Sequence, residues 1–461
     1  MPSAPLPFGS ADDVGPLIDW AKRRLLENIS PRDGRPGAVI ASPSRREPDY
    51  YYHWIRDAAL VIDVILSLYD RADSPHEKSA LRSTLADFVE LSRANQAAPA
   101  QAGLGEPKYY VNGTVYTGPW GRPQNDGPAL RAATLIRFAN RLLDEGADAK
   151  ELSDLYVADL PAESVIKADL EYVSHHWRDP CFDYWEEELA THFATRMAQR
   201  RALLNGAALA GRLNDPRAAA WYRQQGACIG AELEAHWDPD AGYIRASIDH
   251  AGGIDYKTSG LDTSVVLGAL HSEVPGRSFS VTDDHMLATA LRLEEEFDGL
   301  YPVNLHKGDR PGVAIGRYPQ DQYNGYRTDA EGNPWVLTTN AFAEYCYRVA
   351  GALKARGEII LSATNLAFYS ALLPQHQADT LSVGVKLHAP DHLFDAILTG
   401  LCRHGDNFVR RTLAHAAGGP LSEQIHRETG QMTGAPDLTW SYASLISALL
   451  RRPDFASFSQ T

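Results

Sequence analysis

Apolar residues recur at helical spacing along most of this 461-residue chain, and sustained alternation of apolar and polar residues is rare. The pattern predicts helices joined by loops. Leu17-Ile18 through Leu25-Leu26 give the apolar stripe of an opening helix. Arg56-Asp57-Ala58-Ala59-Leu60 begins a longer apolar pattern that runs through Tyr69. Further helices are predicted near 77–95, 128–144, 162–177, 184–208, 214–235, 262–271, 281–297, 338–355, 360–372, 389–414 and 438–450. Their Ala and Leu content favours helix over strand. Gly103-Leu104-Gly105-Glu106-Pro107 and Gly118-Pro119-Trp120-Gly121-Arg122-Pro123 read as loops, and a long loop is predicted from Gly299 to Trp335. Asp126-Gly127-Pro128 supplies a helix cap with Pro near the first turn. Paired helices in this number suit an all-α fold closed into an α/α barrel. A helical-repeat solenoid is the alternative, although no exact short repeat is visible.

Composition narrows the functional classes. The 44 basic and 59 acidic residues leave a formal charge of -15, which argues against general affinity for nucleic acid or an anionic membrane. Cys181, Cys228, Cys346 and Cys402 are widely spaced, without the close pairs of a zinc or redox motif. Free thiols and disulfides both remain open. No dinucleotide fingerprint is present, so neither a cofactor nor a metal is expected. No apolar leader and no convincing bilayer-spanning run appear. Location is left undetermined, since a removed signal is compatible with a secreted or periplasmic protein. No obligate protein partner is evident.

The chemistry concentrates in two acidic sites. Cys181-Phe182-Asp183-Tyr184-Trp185-Glu186-Glu187-Glu188 sets carboxylates among large aromatics, and Leu421-Ser422-Glu423-Gln424 lies far downstream before Asp437-Leu438-Thr439-Trp440-Ser441-Tyr442. Two carboxylates in an aromatic-lined cleft are what glycoside hydrolysis requires, one as acid and one as base or nucleophile. The structural alternative is serious, because Asp183-x-x-Glu186 also has capping-box spacing before a predicted helix. Arg56-Asp57 equally suits an exposed ion pair or a helix start, and Arg317 suits loop ordering around Asp321.

Several separated motifs together resemble fungal-type glucoamylases of glycoside hydrolase family 15. They include Ala41-Ser42-Pro43-Ser44, Pro48-Asp49-Tyr50, Trp54-Ile55-Arg56-Asp57 and Gly103-Leu104-Gly105-Glu106-Pro107-Lys108. Tyr116-Thr117-Gly118, Trp120-Gly121-Arg122-Pro123-Gln124 and Asp183-Tyr184-Trp185-Glu186-Glu187 follow. The series closes with Gly316-Arg317-Tyr318-Pro319, Gly332-Asn333-Pro334-Trp335, Ser422-Glu423-Gln424 and Asp437 to Ala443. Their order spans nearly the whole chain.

The resemblance implies an (α/α)6 barrel and an inverting exo-acting glucan 1,4-α-glucosidase that releases β-D-glucose from non-reducing ends. Glu186 matches the family's acid and Glu423 its base. Tyr50, Trp54, Arg56, Asp57, Tyr116, Trp120, Trp185, Glu187, Arg317 and Trp335 match substrate-contacting positions. The expected ligands are maltooligosaccharides and soluble α-glucans. Inversion calls for ~6.5–9.5 Å between the two carboxyl groups, leaving room for water. Pro119, Asn125 and the long stretch from Asp321 to Glu331 depart from the family pattern, the last in a position to reshape a sugar subsite. Residues 1–461 are expected to form a single catalytic domain with no separate starch-binding domain, which favours dissolved over granular starch.

Overall fold

The computed structural model describes residues 14–148, 150–305 and 312–453. The chain divides into two compact units, one of residues 24–236 and 247–255, the other of residues 14–23, 237–246 and 256–453. Both are built chiefly from helices. Among the described residues, no helix is long and apolar enough to cross a membrane.

In the first unit, helix Asp126–Asp144 packs against both Ile55–Arg71 and Phe193–Arg212, and the last of these also packs against Pro216–Glu232. Small side chains permit this closeness: Ala58, Ala59, Ala129, Ala132, Ala139, Ala198 and Ala202 are all fully buried. Larger apolar residues, among them Ile62, Ile65, Leu66 and Leu135, fill the remaining space. Truncating one such buried Leu to Ala removes ~2–5 kcal/mol through lost transfer energy and the cavity left behind. Helices Pro75–Ala97 and Val165–His176 complete the framework.

Short strands lie between the helices. Tyr52–Trp54 pairs antiparallel with Lys108–Tyr110, placing Trp54 opposite Lys108. Cys181–Phe182, Glu188–His192 and Ser247–Gly253 make a three-stranded sheet. The connection between its first two strands holds Asp183 to Glu187.

The second unit centres on helix Val336–Arg356, which packs against His392–Ala416 and Thr439–Arg451. This central helix is buried along most of its length, and it ends at Gly357, whose φ of 73° is a left-handed cap that glycine adopts at little cost. The hairpin Gln424–Ile425 with Met432–Thr433 lies directly after Glu423.

Most predicted helices are present, with some corrections. The helix predicted over 184–208 begins only at Phe193, because Glu188–His192 is a strand. That predicted over 360–372 shrinks to Leu366–Ala371, because Glu358–Ile360 pairs with Lys386–His388. Gly299 belongs to helix Asp284–Leu300, and a further helical turn covers Pro302–Leu305, so the long loop starts later than expected. Part of that loop, 306–311, lies outside the described residues. All four cysteines are free thiols.

Candidate active site

Glu186 sits in a turn rather than a helix cap. Its amide donates to the Asp183 carbonyl at 3.0 Å, while Asp183 Oδ1 accepts from the amides of Glu187 and Glu188 at 2.7 and 3.1 Å. The expected capping carboxylate therefore closes a tight turn that leads into a strand. Glu186 itself takes a φ of 68°, a left-handed conformation that costs a non-glycine residue energy and marks a position held by its surroundings. Gly121 lets those surroundings come close: a Cβ there would lie 2.8 Å from the Glu186 carbonyl oxygen.

The Glu186 carboxylate is fixed through one oxygen. Oε1 accepts from Gln124 Nε2 at 2.9 Å and from Arg56 Nη2 at 3.3 Å. Arg56 is buried, and its Nη1 donates to Asp126 at 2.9 Å and to Gln124 Oε1 at 3.0 Å. Asp126 is thus an ion-pair partner rather than the cap its position suggested; the cap residue is Asn125, which makes no side-chain cap bond. The exposed-pair alternative for Arg56 and Asp57 is likewise replaced by a buried cluster. Asp57 lies 3.8 Å from Arg56 Nε. Burial pushes the Asp57 carboxyl up to about 7 against the pull of Arg56, with Glu186 and Asp126 adding repulsion.

Aromatic rings line the same unit. Tyr50 and Trp54 meet edge to face at 5.7 Å, Trp54 and Trp120 lie 5.9 Å apart, and Tyr116 meets Trp120 at 5.9 Å. Tyr184 and Trp185 are buried within the turn, with the Arg56 guanidinium 5.4 Å from the Tyr184 ring. Next to them, Glu188 pairs with His250 at 3.2 Å.

The second unit places Glu423 differently. It is fully buried, its amide donates to the Ala435 carbonyl at 2.9 Å, and its carbonyl accepts from the Val336 amide at 3.1 Å. Its Oε2 accepts long bonds from Gln424 Nε2 at 3.4 Å and the Ala435 amide at 3.5 Å. Gly434, at a φ of 73°, packs so tightly that a Cβ would strike Oε2. Asn333 ties Gln424 to the preceding loop at 2.9 Å, and Trp335 bridges to Gln424 through the backbone. Arg317 is buried and doubly bonded to Asp321 at 2.5 and 2.8 Å, which is the loop-ordering role; its guanidinium also lies 5.3 Å from the Trp335 ring.

The structure thus gathers Tyr50, Trp54, Arg56, Asp57, Tyr116, Trp120 and Glu186 in one neighbourhood, and Arg317, Trp335 and Glu423 within the other unit. Sequence reading gave no role to Gln124 or Lys108 and a wrong one to Asp126. Gln124 had a usable signal, an amide two residues from a helix start inside an aromatic loop. Asp126 had none, since its partner Arg56 is 70 positions away.

Comparison with known proteins agrees with this architecture. The model of glycosyl hydrolases family 15 matches residues 21–450, and the chain belongs to that family. A glucoamylase from Blastobotrys adeninivorans is 41% identical over 98% of this chain and 75% of its own length. A probable glucoamylase from Schizosaccharomyces pombe is 37% identical over 94% of this chain and 89% of its own. The solved glucoamylase of Saccharomycopsis fibuligera superposes with a TM-score of 0.84 at 31% identity, covering 96% of both chains. The Hypocrea jecorina enzyme gives 0.85 at 31% identity, over 96% of this chain and 72% of that one. The fold class is accordingly the all-α (α/α)6 barrel, and the solenoid alternative falls away.

Proposed function

We propose that Glu186 is the general acid and Glu423 the general base of this chain, serving one catalytic domain. The reaction is that of a glucoamylase: exo-acting hydrolysis of α-1,4 linkages in starch-like maltooligosaccharides, releasing β-D-glucose from non-reducing ends with inversion. Glu186 gives a proton to the glycosidic oxygen as the C1–O bond breaks. Glu423 takes a proton from the water whose oxygen bonds to C1, so one water is consumed per glucose released.

The observation that carries this reading is the asymmetric hold on Glu186. Both side-chain donors, Gln124 and Arg56, fall on Oε1. This leaves Oε2 to carry the transferable proton. Arg56 and Asp57 supply directed hydrogen bonds to the terminal glucose, with Glu187 and Arg317 as further polar contacts. Tyr50, Trp54, Tyr116, Trp120, Trp185 and Trp335 offer faces on which a pyranose ring packs while its rim hydroxyls reach polar groups. The test is time-resolved NMR of maltotriose hydrolysis before the anomers equilibrate. The β anomer should appear first; initial α-glucose would reject the assignment.

A further inference from the structure

Lys108 stands out among the groups that the reaction scheme does not use. It is 2% exposed, and among the described residues no hydrogen-bond or ion-pair partner meets its ammonium. Four rings surround it instead. Nζ lies 3.6 Å from the Trp120 ring centre, 4.0 Å from Tyr52, 4.3 Å from Tyr116 and 4.5 Å from Trp54. The rings also touch one another: Tyr52 meets Trp54 at 5.9 Å and Tyr116 at 5.4 Å, closing the array with the Trp54–Trp120 and Tyr116–Trp120 contacts.

The strands explain how the cage forms. Antiparallel pairing sets Trp54 directly opposite Lys108, and the Tyr116 amide bonds back to the Lys108 carbonyl at 3.2 Å. The loop carrying Trp120 then brings the closest ring. A buried ammonium facing ring faces is attracted by their quadrupoles, and four rings drawn to one point charge lose freedom together. A neutral side chain of equal length would fill the space without drawing the rings inward.

We propose that Lys108 is a positioning residue, whose positive charge holds Trp54, Tyr116 and Trp120 in register for sugar packing. This rests on the reading of those aromatics as a sugar-binding wall. Lys108 acts through the rings and takes no part in bond cleavage, so its loss should fall on binding more than on turnover.

Charge makes the idea separable from mere space-filling. Burial lowers the Lys108 pKa to about 8, with Glu186 and Asp49 opposing that shift and Arg122 reinforcing it. These are the charged groups acting on it from the neighbouring elements, and Tyr52, pushed up to about 12, stays neutral. The cage is therefore charged below about pH 8 and loses its charge above it. Arginine at the same position would stay charged throughout.

The experiment measures maltotriose affinity by tryptophan fluorescence from pH 6 to 9.5, in a Glu423→Gln background, for wild-type Lys108, Lys108→Met, Lys108→Arg and Trp120→Phe. With Lys108 present, affinity should weaken severalfold as pH passes about 8. Lys108→Met should bind ~10-fold more weakly at pH 6 and show no such pH step. Lys108→Arg should keep most of the affinity and move the step beyond the range; if Lys108→Met fails to fold, this variant alone decides. An unchanged affinity and pH profile in Lys108→Met, with Trp120→Phe weakened, would overturn the cage while sparing the wall. Unchanged binding in Trp120→Phe as well would overturn both. A Glu423→Gln background that still hydrolyses maltotriose would instead contradict the catalytic assignment, and its KM values would then carry the same comparison.

Discussion

The two carboxylates are held by opposite means. Glu186 is reached by side chains from distant motifs, Arg56 and Gln124, and stands on a backbone at a φ of 68°. Its side chain retains 17% exposure. Glu423 is fully buried and strapped on both sides by backbone bonds to Ala435 and Val336, with Gly434 pressed against its carboxylate. The contrast fits the proposed roles: an acid has to deliver a proton to a departing group, and directional side-chain donors can bias one oxygen while leaving the other available. A base has to stay in place as water loses its proton, and a backbone frame fixes position with little freedom. The contrast implies different vulnerabilities: side-chain chemistry around Glu186, and backbone space around Glu423.

Removing either carboxylate should have the largest effect. Glu186→Gln and Glu423→Gln are each expected to lower kcat on maltotriose by ~10²–10⁴-fold, the usual contribution of general acid–base assistance. Circular dichroism would verify the fold, and near-normal turnover in either variant would break the pairing of roles.

Next comes the cluster beneath Glu186. Arg56→Met leaves Asp126 buried without its cation, and stripping one partner from a buried pair costs ~3–5 kcal/mol. Urea unfolding should show a loss of that order, together with a large drop in activity. A stability change below ~1 kcal/mol would mean that Arg56 is not the electrostatic centre of that side.

Space is the test on the other side. Gly434→Ala puts a methyl group 2.4 Å from Glu423 Oε2, inside contact distance, and asks a non-glycine residue to hold a φ of 73°. A ~10–100-fold fall in kcat is expected, because misplacing a catalytic group by about 1 Å carries a penalty of that order. Steady-state kinetics would check it, and wild-type kcat would show that the tight packing does not set the position of Glu423.

The smallest expected effect concerns Asp57. Its folded-state pKa of about 7 lies above the ordinary carboxylate value near ~4. The unfolded chain therefore releases this proton first. The contribution of Asp57 to stability is fully present below about pH 4 and declines as pH rises to about 7. Asp57→Asn removes the titration, so the Tm difference between variant and wild type should shift in favour of the variant across that window. Parallel Tm profiles would contradict the elevated pKa.

The helical scaffold was legible because long amphipathic segments repeat one physical signal many times, as in Ile55–Arg71 and His392–Ala416. Glu188–His192 was misread because five residues following an acidic run give too little alternation to outweigh helical composition. Of its two pairing partners, Cys181–Phe182 is near but only two residues long, and Ser247–Gly253 is far away in the chain. Glu358–Ile360 was lost for the same reason, its partner lying at Lys386–His388. The candidate acid and base came from motif resemblance rather than periodicity. Neither the left-handed turn at Glu186 nor the Arg56–Asp126 pair could be read locally. Lys108 appeared only as the last letter of a loop motif, since nothing in linear order shows four rings converging on one ammonium.

The roles of acid and base are separated most directly with α-D-glucosyl fluoride, whose leaving group needs little protonation. Glu186→Gln should recover much of its lost rate on the fluoride relative to maltose, while Glu423→Gln should stay inactive on both, because water still has to lose a proton. Recovery by Glu423→Gln instead, or equal impairment of both variants on both substrates, would contradict the assignment of Glu186 as acid and Glu423 as base.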